Sequence, residues 1–310
     1  MINLFNIQDH KIDTSKFDHY LHGSIVNEFE EAFCNYVGAK YACSLNSATS
    51  AIFLLLLNKN CNVLVPSMIP PVVCNAIITS NNNLQFSDNT EWVGNSYVLH
   101  EFSDYKIIDS AQKVEREQFK NEANCNDVML FSFYPTKPVG GSDGGIVVSN
   151  DLEKIKHLKE ISMNGMSYSP NNWERELKFP GFKMYMNSIQ AYIAKKNLAL
   201  LDEKKERLHK IREKYNIELG YNNQSDHLYR IKIKDRDKFL QYMKNNNVVC
   251  GVHYKALHDS PIYGNASAKE SSYQKSIEES SSTVSIPFNE TLNSEQVDYI
   301  LTLINQWSST

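Results

Sequence analysis

No stretch of this 310-residue chain approaches the roughly 18 consecutive apolar residues of a membrane span. The opening MINLFNIQDHKIDTS lacks the basic n-region and apolar h-region of a secretory signal, so the expected location is the cytoplasm, away from membranes. Six cysteines, at 34, 43, 61, 74, 125 and 250, form no C-x-x-C pair. In mostly apolar surroundings they read as reduced core thiols rather than a disulfide frame or a zinc site. No excess of positive charge exists either: the net charge is -4, which argues against nucleic acid as a main partner. The run EKKERLHKIREKY (203–215) alternates signs, as a solvated helix face does. There is no internal repeat. His253 and His258 in HYKALH are five residues apart, a spacing that does not hold two imidazoles on one face, and no metal is expected.

What remains is an ordinary globular composition, 42% hydrophobic and 11% aromatic, on a chain long enough for one large core and a smaller appended unit. Ile25, Val26, Phe29, Phe33 and Val37 recur at helical spacing and end at Gly38, a C-cap residue. There follow a strand in YACSLN, a helix from Ser47, a strand in NVLVPS and a helix from about Val72. This alternation predicts an α/β fold with a mostly parallel sheet between helices. A long or broken helix between 186 and 214 leads out of it. Beyond lie HLYRIKIK, a helix from Asp235, a strand in CGVHYKA and a terminal helix in SEQVDYILTLINQW, together a small α+β unit. The expected division is a large domain over 1–205 and a small one over 206–310. The serine-rich stretch 266–282 reads as surface helix and loop.

Chemistry concentrates at strand ends. The apolar run VMLFSFY (128–134) leads into PTKP and the glycine-rich turn GGSDGG, placing Lys137 at a cleft. A desolvated ammonium loses its proton more easily, which an amine needs in order to join an aldehyde such as that of pyridoxal phosphate (PLP). A second apolar run, in YKIIDSAQ (105–112), stops at Asp109. A carboxylate there is the expected partner of a protonated pyridine nitrogen. In SLNSATSAIFLLLL (44–57) a strand passes into a helix, and the amides and hydroxyls about Ser47, Ala48 and Thr49 form an anion site suited to the cofactor phosphate.

With these residues in this order, the chain resembles the DegT/DnrJ group of PLP-dependent nucleotide-sugar aminotransferases. The likeness extends through VLVPSMIPPVVCNAI, IIDSAQ, FSFYPTKPVGGSDGG, GFKMYMNSIQAYIA and GVHYKALHDSPIY. It implies fold type I of the PLP transferases. It also implies Lys137 as the cofactor lysine, Asp109 as the ring-nitrogen partner, Gln112 packed beside the ring, and Ser132, Ala48 and Thr49 as phosphate contacts. His253 and Tyr254 would lie near the substrate entrance. The active unit would be a homodimer in which Lys183 or Tyr185, in GFKMYM, reaches the partner's phosphate site; the sequence does not rank the two.

The implied reaction is ping-pong amino transfer from glutamate or glutamine to a keto sugar nucleotide, for a surface polysaccharide. A PLP-dependent sugar dehydratase of the same family would carry histidine in place of Lys137. A non-catalytic PLP-binding or dimer-forming relative is the third reading.

Two departures stand out. Where the family has an aromatic that stacks on the ring, this chain has Pro70. Between YVLHEF (97–102) and YKIIDSA only Ser103 and Asp104 intervene, where the family inserts a helix. A crossover between parallel neighbours needs about a dozen residues, so this segment either turns back antiparallel or leaves the sheet.

Overall fold

A computed structural model of the chain describes residues 1–167, 174–263 and 272–308. In order, the elements are α1 (Ser24–Val37), β1 (Tyr41–Leu45), α2 (Ala48–Leu56), β2 (Asn62–Pro66), α3 (Pro71–Thr79), β3 (Asn83–Ser87), β4 (Tyr97–Glu101) and β5 (Lys106–Asp109). Then come α4 (Gln118–Glu122), β6 (Val128–Ser132), β7 (Gly145–Ser149), α5 (Leu152–Ser162), α6 (Ser188–Ala199), α7 (Leu201–Leu219), β8 (Tyr229–Lys232), α8 (Arg236–Asn245), α9 (Gln274–Ser282), β9 (Thr283–Ile286) and α10 (Ser294–Ser308).

The main sheet has the order β1-β7-β6-β5-β4, with β2 and β3 paired separately. Strands β6 and β7 are buried along their whole length. Their alternating side chains feed two cores. Val128 and Leu130 join Val147 and the residues of α2, α3 and α5 on one face, while Met129 and Phe131 meet α1 and α6 on the other. This two-sided burial is why these strands read as unbroken apolar runs. Gly38, left-handed with φ of 80°, ends α1 by donating its amide to the Cys34 carbonyl.

The sheet is mixed rather than mostly parallel. In it only β5 and β6 run parallel, and outside it β2 and β3 do. A short connection accounts for one reversal, at β4, and a helix-free loop makes the other, at β7. Strand β7 returns antiparallel to β6 through the glycine-rich loop, and β4 turns back antiparallel on β5, with the Phe102 amide donating to the Tyr105 carbonyl across the turn.

The third core joins Leu208, Ile211 and Tyr215 of α7 to the antiparallel pair β8–β9 and to α8 and α10. The first residues of the chain belong with this unit, since Ile2 bridges Val248. The strand expected in CGVHYKA does not form. Gly251 makes an isolated bridge to Ser285, and the chain then leaves the sheet and carries His253 and Tyr254 inward. In the serine-rich stretch, α9 lies within the described residues and 264–271 does not.

Candidate active site

Strands β5 and β6, running parallel, bring their C-terminal ends together, and the expected site residues follow from that. Ser132 closes β6. The Tyr134 amide then donates to the Ser132 hydroxyl at 3.3 Å, and the Lys137 amide donates to the Tyr134 carbonyl at 2.8 Å, a tight turn that aims Lys137 back over the sheet end. On β5, buried Asp109 accepts one hydrogen bond at each oxygen, from the Ala111 amide to Oδ1 at 2.9 Å and from the Tyr97 hydroxyl to Oδ2 at 3.0 Å.

These residues face a cavity of about 540 Å3 lined by Ser47, Ala48, Thr49, Pro70, Asp109, Gln112, Ser132, Lys137, His253 and Tyr254 among others. The expected residues that it does not gather are Lys183 and Tyr185. Lys183 is exposed, and Tyr185 packs its ring 4.2 Å from that of His22, in a different hollow.

The helix start at α2 is prepared for an anion. Ser47 caps it by accepting from the Ser50 amide, and the first amides, at Ala48 and Thr49, have no carbonyl one turn earlier to bond. Gly145 keeps this end uncovered, because a Cβ there would stand 2.5 Å from the Ala48 nitrogen.

Electrostatics couples Lys137 and Asp109. Burial pushes the Lys137 ammonium down to about 8, with the Asp109 charge pulling the other way. Burial pushes the Asp109 carboxyl up, and the Ala111 amide, the Tyr97 hydroxyl and the charge of Lys137 oppose it. The site therefore holds an amine unusually ready to lose its proton and, in the same cavity, a carboxyl that burial pushes up against the opposing pull of two donors and the Lys137 charge.

Several lining residues carry no motif in the sequence: Phe5, Trp92 and His227. Phe5 stacks on His227 at 5.6 Å and meets His253 edge-on at 5.8 Å. Trp92 stacks on Tyr254 at 5.8 Å, nearly parallel. The Tyr254 hydroxyl in turn accepts from Gln112 Nε2 at 3.0 Å, and the Gly94 amide donates to Gln112 Oε1 at 2.8 Å. Burial, then the charge of Lys137, lowers both histidines, His227 well below its ordinary range and His253 to about 4. Both are neutral near pH 7.

The donor set fits PLP. An amine for the aldehyde, a buried carboxylate for the ring nitrogen and neutral N–H and O–H groups for the phosphate open on one cavity. Among the described residues, no group of three or more His, Cys, Asp or Glu is placed to hold a metal ion, and no helix is long and apolar enough to cross a membrane.

Comparison with known proteins agrees with this arrangement. The chain is 26% identical over 296 residues to UDP-4-amino-4,6-dideoxy-N-acetyl-beta-L-altrosamine transaminase of Campylobacter jejuni, with 78% of each chain covered. It is 24% identical over 343 residues to the spore coat polysaccharide biosynthesis protein SpsC of Bacillus subtilis, covering 90% of this chain and 88% of that one. In fold it matches the PLP form of the putative sugar aminotransferase Spr1654 from Streptococcus pneumoniae, with a TM-score of 0.79, 18% identity and 98% of each chain covered. Fold type I of the PLP transferases is thus the architecture present. The model of the DegT/DnrJ/EryC1/StrS aminotransferase family matches residues 6–95 and 107–305, passing over most of the β4 hairpin, and the chain belongs to that family.

Proposed function

We propose that this chain is a PLP-dependent aminotransferase that moves an amino group from glutamate or glutamine to a keto sugar carried on a nucleoside diphosphate, in the making of a surface polysaccharide. The observation that carries the reading is the meeting of Lys137 and Asp109 in one cavity, beside the open start of α2 and the Ser132 hydroxyl. The names of the C. jejuni and B. subtilis relatives support the substrate class. PLP bound there supplies an electron sink and carries the amino group between the two substrates.

The protein's part is to hold and to move protons. Lys137 would hold the aldehyde end, and its free amine would take the proton from the donor carbon that bears nitrogen. Its lowered pKa makes it a competent base near pH 8. Asp109 would keep the ring nitrogen protonated, Gln112 would pack beside the ring, and Ala48, Thr49 and Ser132 would hold the phosphate. Pro70, which begins the turn into α3, offers a flat apolar face on the same cavity. His253 and Tyr254 face the substrate. In this reading the active unit is a cytoplasmic homodimer, with Lys183 or Tyr185 completing the partner's phosphate site. The proposed division puts the large domain over 1–205 and the small one over 206–310, with the first few residues packing back on the small one.

Lysine rather than histidine at 137 favours amino transfer over dehydration. The decisive experiment is a half-reaction: glutamate is added to the purified PLP-loaded protein and the absorbance is followed. Conversion of the cofactor's visible band to that of pyridoxamine phosphate is the expected result. Its absence with glutamate and with glutamine would remove the transaminase reading.

A further inference from the structure

The stretch that the family match passes over, 96–106, is ordered and sits beside the cavity. It forms most of a hairpin whose first strand opposes the end of β5, so that Tyr97 stands across from Asp109 in the ladder and its hydroxyl reaches Oδ2 at 3.0 Å. We propose that Tyr97 is a positioning residue for Asp109: its phenol fixes the buried carboxylate and holds it in the charged form.

The register is specific. Counting back from the turn in a regular hairpin, Phe102 opposes Tyr105, Glu101 opposes Lys106 and Val98 would oppose Asp109. An irregularity between Val98 and His100 takes up one residue, and Tyr97 arrives there instead. Without the bulge an aliphatic side chain would occupy the position of the donor.

The phenol is braced as well as placed. Its ring meets Trp92 edge-on at 5.0 Å, and Trp92 stacks on Tyr254. The same short segment contributes the Gly94 amide that holds Gln112. Residues 92–97 thus steady Asp109, Gln112 and Tyr254 at once.

Chemistry explains why the donor matters. A buried carboxylate stays ionised only when donors and positive charge replace its lost hydration. Asp109 has one backbone donor, the Ala111 amide, and one side-chain donor, Tyr97. The other groups facing it are Lys137 from the turn after β6 and the Tyr254 phenol from the segment after Gly251, while Cys74 of α3 faces Tyr97. Burial and the Asp109 charge hold the Tyr97 phenol protonated well above its usual range, so it remains a donor throughout the working pH.

The inference rests on the reading of Asp109 as the ring-nitrogen partner, but its test is separate. In the full-length protein freed of PLP and labelled with carboxyl-13C aspartate, the Asp109 signal is the one missing from the Asp109→Asn spectrum. Losing a hydrogen bond to a charged group should raise its titration midpoint by about 1 pH unit or more in Tyr97→Phe, which keeps the ring against Trp92. 3-Fluorotyrosine installed at position 97, a stronger donor, should lower the midpoint, and it decides the matter if Tyr97→Phe does not fold. An unmoved midpoint in a folded variant would mean that Tyr97 only fills space. Failure of the Asp109 reading itself would show differently, as undiminished turnover in Asp109→Asn.

Discussion

The two walls of the cavity are built on opposite principles. The wall formed by the ends of β5 and β6 carries Asp109, which faces two donors and Lys137, and Lys137, which faces Asp109; the glycine-rich loop beyond β6 adds Asp143. The facing wall, from the first residues and the C-terminal unit, presents Phe5, His227, His253 and Tyr254, aromatic or neutral near pH 7. The difference assigns the work. In the proposed reading the first wall serves proton movement beside a charged ring, while the second offers stacking and uncharged hydrogen bonds to a sugar and a base. Anion recognition is sparse in both, since the donors proposed for the phosphate are all neutral.

The comparison breaks first at Lys137. Lys137→Ala should lose activity by about 10³-fold or more. Borohydride reduction of the loaded wild-type protein should place the phosphopyridoxyl group on the peptide containing Lys137; a label on another lysine would sink the assignment. Next is Asp109→Asn, whose neutral amide cannot retain the ring-nitrogen proton. It should still bind PLP but turn over about 10²-fold more slowly, as single-turnover absorbance would measure. Near-normal rates would refute that role.

The charge on the first wall also has a pH signature. Only the neutral amine captures the aldehyde, so the rate of PLP uptake by the cofactor-free protein should climb about tenfold per pH unit and flatten above about pH 8. A climb continuing toward the ordinary lysine pKa of 10.5 would show that Lys137 is not desolvated. The sign carries to stability. Between about 8 and 10.5 the unfolded chain binds more protons than the folded one at this residue, so stability should rise with pH relative to Lys137→Met.

The neutral phosphate wall can be sharpened by asking whether a partner supplies its cation. Lys137→Ala and a Lys183→Ala/Tyr185→Phe double variant, each inactive alone, should regain about a quarter of wild-type activity on subunit exchange, because half of the dimers then carry one intact site of two. No recovery despite exchange would confine the GFKMYM segment to its own subunit. The smallest effect should come from the uncharged wall. Tyr254→Phe removes the acceptor of Gln112 and should change KM by a few-fold, about the worth of one neutral hydrogen bond, with kcat nearly kept.

What the sequence made legible divides along the same line. Lys137, Asp109, Ser132 and the Ser47–Thr49 helix start sit where regular elements end, and a period of two or a helix cap marks such ends in one dimension. Phe5 and His227 reach the cavity from irregular backbone, through tertiary placement that leaves no periodic trace. Tyr97 fails for a subtler reason: the turn at Ser103–Asp104 was visible, but one bulged residue moved the register and exchanged Val98 for Tyr97. The count of connecting residues declared the reversal at the β4 turn, whereas the β6–β7 loop is as long as a crossover and its length left the direction of β7 open.

The hairpin has a kinetic meaning too. In a crossover, Asp109 would meet its strand neighbour only after a long intervening segment had been brought round. Here its partner Tyr97 lies 12 residues away and the turn between is tight. Closure entropy grows by only about 0.6 kcal/mol for each doubling of loop length, but contacts near in sequence are also the ones made early. The surroundings of the carboxylate can thus begin to assemble as a local pair, before β6 and its parallel neighbour have found each other.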